Sequence, residues 1–441
     1  MVPPFQVQKD MTKTDMKSMM KTMALMGATA VALTGCRSAR VDKATADSEP
    51  NWSVSKDIDG SYLVLSDAQR EMVGQNNDFA FNLFRKTMGM DSRVISPLSV
   101  TYLMSMLANG AGGDTQQQVL ATLGWAGKGQ NQPTLRNINE FSRMMMEKAC
   151  HMDRDVKVNI ANYVAVNNRF KVNGEFQKTV ERNYKAGVES LDFTSPKTLK
   201  RINGWCSDQT HGMIPSIIDQ VDPQAVSYLM NAIYFNGTWA DKFDKKQTKV
   251  EPFRGYTRDM KRVNMMHRHD DYYYADGEGY QAVRIPYGNG AYSMTVLLPA
   301  EGKSVSEIMA GMNGEKYEAL LGNMAECDVD LKLPRFTTEV EQPLNEVIAE
   351  LGAPLIFSSQ ADFRQFASGQ FSVSKMLQKA KIEVSEEGTK ASAVTAAIMC
   401  MSLMQPEAKR SVVFHADRPF AYIISERSTG SIFFMGQFTG E

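Results

Sequence analysis

The sequence predicts a fold of the mixed α+β class, and three patterns support this expectation. Apolar residues follow the Asn-Asn-Asp run at residues 76–78, which suits a helix cap ahead of a buried helix face. Residues 161–166 alternate in the manner of a β-strand. A third stretch, residues 389–403, also has the character of a strand, although it lies where a polar loop is expected. A hydrophobic content of 43% is sufficient for a sizeable core.

The first 36 residues are predicted to be a targeting signal and not part of the fold. Lysines precede an uncharged run at residues 23–33, which is shorter than the roughly 20 residues of a membrane span but suits the core of a signal peptide. The run ends in Leu-Thr-Gly-Cys, which resembles the bacterial lipobox, so we expect Cys36 to be lipidated. The protein would then be exported and lipid-anchored in the bacterial outer membrane or at the cell surface. An ordinary secretory signal with an incidental cysteine is the alternative.

Residues 37–73 are rich in Ser, Asp, Ala and Lys and have little apolar content. This composition predicts a flexible tether between the signal and a folded domain at residues 74–441.

Charge and cysteine usage narrow the classes of function. A formal net charge of −1 argues against nucleic acid as a partner. The cysteines that follow Cys36 show neither close pairing nor the spacing of a metal site. We expect Cys150, Cys206 and Cys327 to be buried free thiols and only Cys400 to be exposed.

The stretch at residues 389–403 contains no Gly, no Pro and one charge, Lys390. If it is extended, alternate side chains share a face. One face is small and uncharged: Thr389, Ala391, Ala393, Thr395 and Ala397. Lys390 lies on the other face, and Gly388 ahead of the run tolerates the unusual backbone angles of a hinge. The sequence therefore predicts a segment that could enter a β-sheet.

Several motifs resemble the serpins, the family of serine protease inhibitors. Residues 379–389 (Lys-Ala-Lys-Ile-Glu-Val-Ser-Glu-Glu-Gly-Thr) resemble the hinge of that family. Residues 414–420 and 430–436 resemble its C-terminal signature, and residues 231–239 (Asn-Ala-Ile-Tyr-Phe-Asn-Gly-Thr-Trp) are the most specific internal match. The resemblance covers residues 74–441.

The resemblance implies helices around a large central β-sheet, two further sheets and an exposed reactive-centre loop at about residues 386–412. It also implies a suicide-substrate inhibitor: a protease cleaves the loop, an acyl-enzyme forms, and the hinge inserts as a new strand that traps the protease. The implied hinge residues are Glu386, Glu387, Gly388, Thr389, Ala391 and Ala393. Such a protein is not an enzyme, needs no cofactor or metal, and is expected to be a monomer.

The resemblance also implies a set of residues at which the central sheet opens: Ser96, Ser99, Asn231, Trp239 and Gln378. The family commonly has His where Gln378 stands. Because Gln can both donate and accept hydrogen bonds, we expect a changed network and not a lost function. A gating role and a plain core position are equally open for Trp239.

Family spacing puts the reactive bond at Met401-Ser402 or Ser402-Leu403. The loop before Pro419 is longer than in familiar serpins, which leaves the register open. Met or Ser before the bond favours elastase-like or chymotrypsin-like proteases, and papain-like cysteine proteases are a further alternative. Arg410 would suit a trypsin-like enzyme but lies too far along the chain.

Two other interpretations stay open. A non-inhibitory serpin would act as a binding module or as a protease substrate. An envelope hydrolase would use Cys400 as nucleophile with a base such as His415, although no hydrolase, phosphate-loop or C-x-x-C motif occurs. His267 and His269, with Asp270 and Asp271 beside them, could suggest a metal site, but we expect this polar stretch to be solvated.

Overall fold

The structure is a computed structural model that describes residues 62–126, 132–257, 259–389 and 409–441. Over these residues the chain forms nine α-helices. Their bounds are α1 Asp67–Thr87, α2 Pro97–Gly110, α3 Gly113–Thr122, α4 Leu135–Met144, α5 Gly174–Tyr184, α6 Pro196–Gln209, α7 Val305–Gly311, α8 Gly314–Gly322 and α9 Asn345–Leu351.

The β-strands of the same residues form two sheets. Their bounds are β1 Arg93–Ile95, β2 Val156–Asn167, β3 Gly187–Leu191, β4 Ser227–Thr238, β5 Lys249–Arg254, β6 Met260–Gly277, β7 Tyr280–Tyr287, β8 Tyr292–Pro299, β9 Ala325–Pro334, β10 Phe336–Pro343, β11 Lys375–Ser385, β12 Gly388–Thr389, β13 Ser411–His415, β14 Phe420–Glu426 and β15 Ile432–Phe438.

The six-stranded sheet has the order β10-β11-β12-β4-β2-β3. The short strand β12 lies at one end of the sheet, and below it β11 pairs directly with β4. This direct pairing is parallel and runs from Lys375 opposite Tyr228 to Lys381 opposite Tyr234. Strands β2 and β3 are also parallel, and the remaining neighbours in this sheet are antiparallel.

The nine-stranded sheet has the order β1-β15-β14-β8-β7-β6-β9-β13, with β5 added to β6. The long strand β6 joins its two halves, since residues 265–274 of β6 pair with β9 and residues 273–277 pair with β7. The two further sheets expected from the sequence are therefore one continuous hydrogen-bonded sheet. The predicted α+β class, with helices around a large sheet, is confirmed.

Helix α2 is the buried helix of the fold. It begins with Pro97, whose fixed φ suits the first turn of a helix, and Asn109 is its only residue that is not fully buried. The helix packs against β15 of one sheet and β4 of the other. Ser96 and Ser99 at its start are thereby held beneath β4 and β11.

The folded body begins earlier than the predicted boundary at residue 74. Helix α1 begins at Asp67 because Ser66 and Gln69 form a capping box, in which each side chain accepts a hydrogen bond from the other's backbone N–H. Leu65, Met72 and Val73 are buried in the core. The end of the predicted tether is therefore part of the domain.

The polar run at residues 76–78 lies inside helix α1, so its predicted role as a helix cap is wrong. Asn77 instead binds a distant hairpin: its Nδ2 donates to the carbonyl oxygen of Gly430 at 2.9 Å, and its Oδ1 accepts from the backbone N–H of Ile432 at 3.2 Å. An amide in mid-helix is tolerated here because both of its polar ends find backbone partners.

Cys150, Cys206 and Cys327 are buried free thiols, as predicted. Cys36 and Cys400 lie outside the described residues. Within the part of the chain that the structure describes, none of the helices combines the length and the apolar character needed to cross a bilayer.

Candidate functional site

Gly388 and Thr389 of the predicted hinge form a short strand inside the six-stranded sheet. After β11 the chain turns at Glu386 and Glu387 and returns as β12, which lies antiparallel to both of its neighbours. Gly388 pairs with Ser385 of β11 and with Thr238 of β4. The predicted loop of residues 386–412 is thus shorter, because its first four residues belong to this hairpin and Ser411 and Val412 belong to β13.

The register of this hairpin agrees with the register of the sheet below it. Ser385 and Thr238, which both face Gly388, are 147 positions apart (385 − 238). Lys375 and Tyr228, which face each other directly, are also 147 positions apart (375 − 228). A strand that continued from β12 would therefore stay in register with both neighbours. Strands β4 and β11 would have to separate sideways, but neither would have to slide.

Thr389 is the innermost described residue of the hinge and is fully buried. Its hydroxyl lies 2.8 Å from the hydroxyl of Tyr287, which is also fully buried. Burial raises the pKa of Tyr287, so the phenol keeps its proton and remains a hydrogen-bond partner. The face of the loop predicted to enter the core does so at its first position.

Trp239 joins this pocket to the turn. Its ring stacks on Tyr287 with centroids 4.3 Å apart, and its Nε1 donates to the carbonyl oxygen of Ser385 at 2.9 Å. Its backbone N–H donates to the carbonyl oxygen of Glu387 at 3.0 Å. Trp239 is therefore a buried aromatic that also binds both ends of the β11–β12 turn.

Gly388 has a φ of +137°, a backbone conformation that side chains rarely adopt. A Cβ atom at this position would lie 2.2 Å from the carbonyl oxygen of Gly237 and 2.6 Å from the Cα of Thr238. Both atoms are backbone of β4, so neither can rotate away. The glycine is needed here for its conformation and for its lack of volume.

Two acidic side chains fix the turn to the body. Glu386 is buried, accepts a hydrogen bond from the Thr248 hydroxyl at 2.8 Å and lies 3.8 Å from Arg335. Glu387 is half-exposed and pairs with Lys242 at 2.9 Å and with Lys245 at 3.0 Å.

Hydrogen bonds from these two lysines lower the pKa of Glu387, so the carboxylate keeps its charge in mild acid. The turn that starts the hinge is therefore held by charge as well as by backbone bonds.

Lower in the sheet, a row of buried amides crosses β11, β4 and β2. Gln378 lies opposite Asn231, which lies opposite Asn162. The Nδ2 of Asn231 donates to Asn162 Oδ1 at 3.0 Å, and the Nε2 of Gln378 lies 3.4 Å from Asn231 Oδ1. Separating β4 from β11 would break this row between Gln378 and Asn231.

Gln378 also ties β11 to the start of helix α2. Its Oε1 accepts from the backbone N–H of Ser96 at 2.8 Å, and its Nε2 donates to Ser96 O at 2.9 Å and to Ser99 Oγ at 2.6 Å. The amide thus donates and accepts at once, the property expected of Gln in the place of His. The Ser96 hydroxyl is buried and has no hydrogen-bond partner within the described part of the chain. Ser96 contributes its backbone to the network, whereas Ser99 contributes its side chain.

The importance of the Gln378 amide for stability can be tested by mutation. We expect Gln378→Ala to lower the free energy of unfolding by about 2–5 kcal/mol, because it leaves the buried Ser96 N–H without a partner and opens a cavity. The Ser99 hydroxyl would keep its hydrogen bond to the carbonyl oxygen of Ser96. Ser96→Ala is the matched control and should be neutral or slightly stabilising, because it removes an unpaired buried hydroxyl. Urea unfolding of both variants measures the effect, and equal losses would show that the network is not centred on Gln378.

The other end of the loop is fixed by two basic residues. Lys409 pairs with Asp271 at 2.5 Å and with Glu326 at 3.1 Å. Arg410 pairs with Asp276 at 2.8 Å, and its guanidinium lies 5.4 Å from the centre of the Tyr274 ring. Arg410 is thus held against the folded body by an ion pair and by an aromatic ring.

Several predicted residues lie outside the described part of the chain: Ala391, Ala393, Met401, Ser402, Leu403, Cys36 and Cys400. His415, the base of the hydrolase interpretation, has its Nε2 3.0 Å from Asp330 Oδ2. His267 and His269 likewise contact aspartates of β9. Over the described ranges, no group of three or more His, Cys, Asp and Glu residues is arranged to hold a metal ion.

Sequence reasoning missed the partners of the hinge. Tyr287, Lys242, Lys245 and Thr248 contact residues more than a hundred positions away, and no local pattern in the sequence signals those contacts. The amide of Asn162 was also missed as a member of the polar row. Its signal was present, because an Asn in an otherwise apolar strand needs a hydrogen-bond partner.

Comparison with known proteins gives the family. A family model described as "Serpin (serine protease inhibitor)" matches residues 74–440 of this chain. Human leukocyte elastase inhibitor is 31% identical over 386 residues, which cover 84% of this chain and 99% of the inhibitor. Human neuroserpin is 29% identical over 371 residues, which cover 81% of this chain and 88% of neuroserpin.

Solved structures agree with these relatives. The thermophilic serpin tengpin in its native state superposes with a TM-score of 0.76 at 27% identity, covering 86% of this chain and 95% of tengpin. Human thyroxine-binding globulin in complex with thyroxine superposes with a TM-score of 0.75 at 25% identity, covering 84% of this chain and 98% of the globulin. With the family description matching most of its length and the same fold in its structural neighbours, this chain belongs to the serpin (serine protease inhibitor) family.

Proposed function

We propose that this protein is a suicide-substrate inhibitor that traps a protease as a covalent acyl-enzyme by inserting its cleaved loop between β4 and β11. The observation that supports this proposal most strongly is the hairpin formed by β11 and β12. Strand β12 already lies antiparallel between these two strands, in the one register that both could share along their whole length. Insertion would extend a strand that has already begun.

The side chains of the loop support this proposal. Continuing both registers would bring residue 398 opposite Tyr228 and Lys375, the last directly paired row. Alternate residues from Thr389 onward would face the core, and these are Ala391, Ala393, Thr395 and Ala397. Thr395 would meet the row that contains Asn231 and Gln378, so its hydroxyl would enter the polar layer beneath the sheet while alanines enter the apolar ones.

The exchange of strand pairings also favours insertion. The uncut sheet has one parallel interface between β4 and β11, whereas an inserted strand would have two antiparallel interfaces. Antiparallel pairing is slightly more stable per residue than parallel pairing, and a second ladder adds new backbone hydrogen bonds, each contributing about 0.5–1.5 kcal/mol net. Cleavage frees the end of the loop that the uncut chain holds at Lys409 and Arg410.

The relatives favour a serine protease as the target. Leukocyte elastase inhibitor is named for an elastase, and residues 401–403 of this chain, Met-Ser-Leu, suit elastase-like or chymotrypsin-like pockets. We therefore propose Met401-Ser402 or Ser402-Leu403 as the reactive bond. Thyroxine-binding globulin, by contrast, has been solved with a bound hormone, so a binding role without trapping is the alternative outcome of the test below.

The test is incubation of the purified protein with elastases, chymotrypsin, trypsin, subtilisin and papain, followed by denaturing gels and mass spectrometry. A complex that survives denaturation is expected, and the mass of the released C-terminal peptide will identify the reactive bond. The control is each protease with its active site covalently blocked, which should give no complex. Complete cleavage without any complex would overturn the inhibitory function and leave the binding alternative.

We also propose that Cys36 carries a lipid that tethers the domain to the bacterial envelope. The support is the Leu-Thr-Gly-Cys motif after an uncharged run. Cys36→Ser is expected to abolish incorporation of labelled palmitate and to move the protein from the membrane fraction to the soluble fraction. Unchanged labelling of this variant would show that the lipid is elsewhere or that there is none.

A further inference from the structure

Three of the chain's five histidines lie on one face of the nine-stranded sheet. His267 and His269 are on β6, and His415 ends β13, the strand that follows the reactive loop directly. Strand β13 is the edge of this sheet among the described residues and pairs only with β9. The contacts of its exposed side chains therefore contribute to how firmly it is held.

Each of these histidines contacts a carboxylate on β9, the strand that lies between β6 and β13. Asp330 is shared: its Oδ1 lies 2.6 Å from His267 Nε2, and its Oδ2 lies 3.0 Å from His415 Nε2. Asp328 Oδ1 lies 2.6 Å from His269 Nε2. A carboxylate only accepts hydrogen bonds, so Nε2 is the protonated nitrogen in each pair. The contact from His267 through Asp330 to His415 spans β6, β9 and β13.

The charges on this face are unbalanced when the histidines are neutral. The charged groups that face the histidines from β5, β6, β9 and the start of β13 are Lys249, Glu251, Asp271, Glu326, Asp328, Asp330, Lys332 and Lys409. These are five carboxylates and three ammonium groups, an excess of two negative charges. Protonating His267 and His415, the two partners of Asp330, would offset that excess.

We propose that His267, Asp330 and His415 form a proton-dependent clasp that holds β13 to β9 and β6 more firmly in mild acid than at neutral pH. An imidazole ordinarily gains its second proton near pH 6.5. Once charged, each histidine changes a neutral hydrogen bond to Asp330 into a charge-assisted one, which is shorter and stronger. The cross-strand neighbour Lys332 does not oppose this, because its ammonium is paired with Glu251 at 2.8 Å.

The aspartate keeps its charge over the same range. Burial alone would raise the pKa of Asp330, but hydrogen bonds and charge from His267 and His415 hold it below its usual value. The aspartate's contribution is therefore present above its ordinary pKa of about 3.9 and is lost as the pH falls through its folded value. The charge-assisted form of the clasp also needs the second proton of an imidazole, which is ordinarily gained near pH 6.5.

The clasp also affects the C-terminal end of the reactive loop, which leads directly into β13. This consequence rests on the proposed inhibitory function. An uncut loop that entered the sheet would pull on β13, since β13 follows the loop directly and the residues just before it, Lys409 and Arg410, are held by β6 and β9. A firmer β13 opposes such entry and keeps the intact loop available for a protease. The inhibitor would therefore stay competent longer in mild acid.

Hydrogen exchange of the purified protein at pH 5.5 and pH 7.5 tests the clasp without any protease. After correction for intrinsic exchange rates, protection of the β13 amides is expected to rise on the order of tenfold at pH 5.5, the size of two partly exposed ion pairs. Strand β14 is the internal reference and should change little. His415→Gln keeps a hydrogen-bond donor but cannot gain the charge, so it should lose most of the rise.

Two further variants keep the test decisive. Asp330→Asn should also abolish the rise, because it removes the shared anion. The exposed His151 is outside the cluster, so His151→Gln should behave as wild type. Equal β13 protection at the two pH values in the wild type, or a full rise in both His415→Gln and Asp330→Asn, would overturn the proposal. Neither result would bear on whether the protein traps a protease.

Discussion

Replacing Thr389 with arginine is expected to abolish the stable complex with a target protease while leaving cleavage of the loop intact. Thr389 is fully buried between β4 and β11, with its hydroxyl on Tyr287. Among the described residues its side chain bonds to the Tyr287 hydroxyl and to no carboxylate, so a guanidinium here would be buried without a counter-charge. Such a charge costs several kcal/mol, and raising the barrier to insertion by only about 3 kcal/mol slows insertion roughly a hundredfold. The acyl-enzyme would then hydrolyse before the strand enters the sheet.

A conservative variant separates burial from hydrogen bonding. Thr389→Val keeps the shape of the side chain and removes only the contact with the Tyr287 hydroxyl, which contributes about 1 kcal/mol. We expect this variant to trap protease at a yield close to that of the wild type. Gel densitometry of complex against cleaved inhibitor measures both variants. If Thr389→Arg forms complex as efficiently as Thr389→Val, strand insertion from this hinge is not the mechanism.

The alternation of side chains predicts that Thr389 lies on the buried face of the hinge, and in the structure Thr389 is fully buried. A small, uncharged side chain favours burial of this face over the face that carries the charge of Lys390. The strand around residues 161–166 was also predictable from local pattern, and it forms part of β2. In each case the information lies within a few neighbouring residues.

Other features could not be predicted because they depend on which distant strands meet. The contact of Thr389 with Tyr287 joins residues 102 positions apart, and the contact of His415 with Asp330 joins residues 85 positions apart. The continuity of the nine-stranded sheet depends on one long strand, β6, changing partner from β9 to β7 along its length. Hydrophobic periodicity reports the buried face of a strand but not its neighbour.

The start of the folded domain before residue 74 was not predicted, and the reason is different. The Ser66 and Gln69 pair is a local signal for a helix N-terminus, but the polar composition around it outweighed that signal. The Asn-Asn-Asp run at residues 76–78 then competed as a cap, although its amides serve the β14–β15 hairpin and helix α2 instead. A capping signal indicates a helix start only where the preceding residues are not themselves helical.

Replacing Gly388 with alanine is expected to expel the hinge from the sheet and to lower the yield of trapped protease at least tenfold. The added Cβ would lie 2.2 Å from Gly237 O, and the backbone at φ +137° disfavours any side chain. Strained backbone of this kind costs about 1–3 kcal/mol, before the clash is counted. Because the β11–β12 hairpin would be kept when the strand extends, the clash opposes the uncut hinge and the inserted strand alike.

The matched control is Gly204→Ala in helix α6, where a Cβ would have no atom within 4 Å. That substitution should be neutral or stabilising by roughly 0.5–1 kcal/mol, because glycine is the costlier residue inside a helix. Hydrogen exchange should then show lost protection at the Trp239 amide in Gly388→Ala alone, since this N–H donates to the carbonyl oxygen of Glu387 in the hinge turn. Retained protection together with an undiminished yield of complex would mean that the sheet accepts a side chain at the hinge. The pairing of β12 with β4 would then not be what starts insertion.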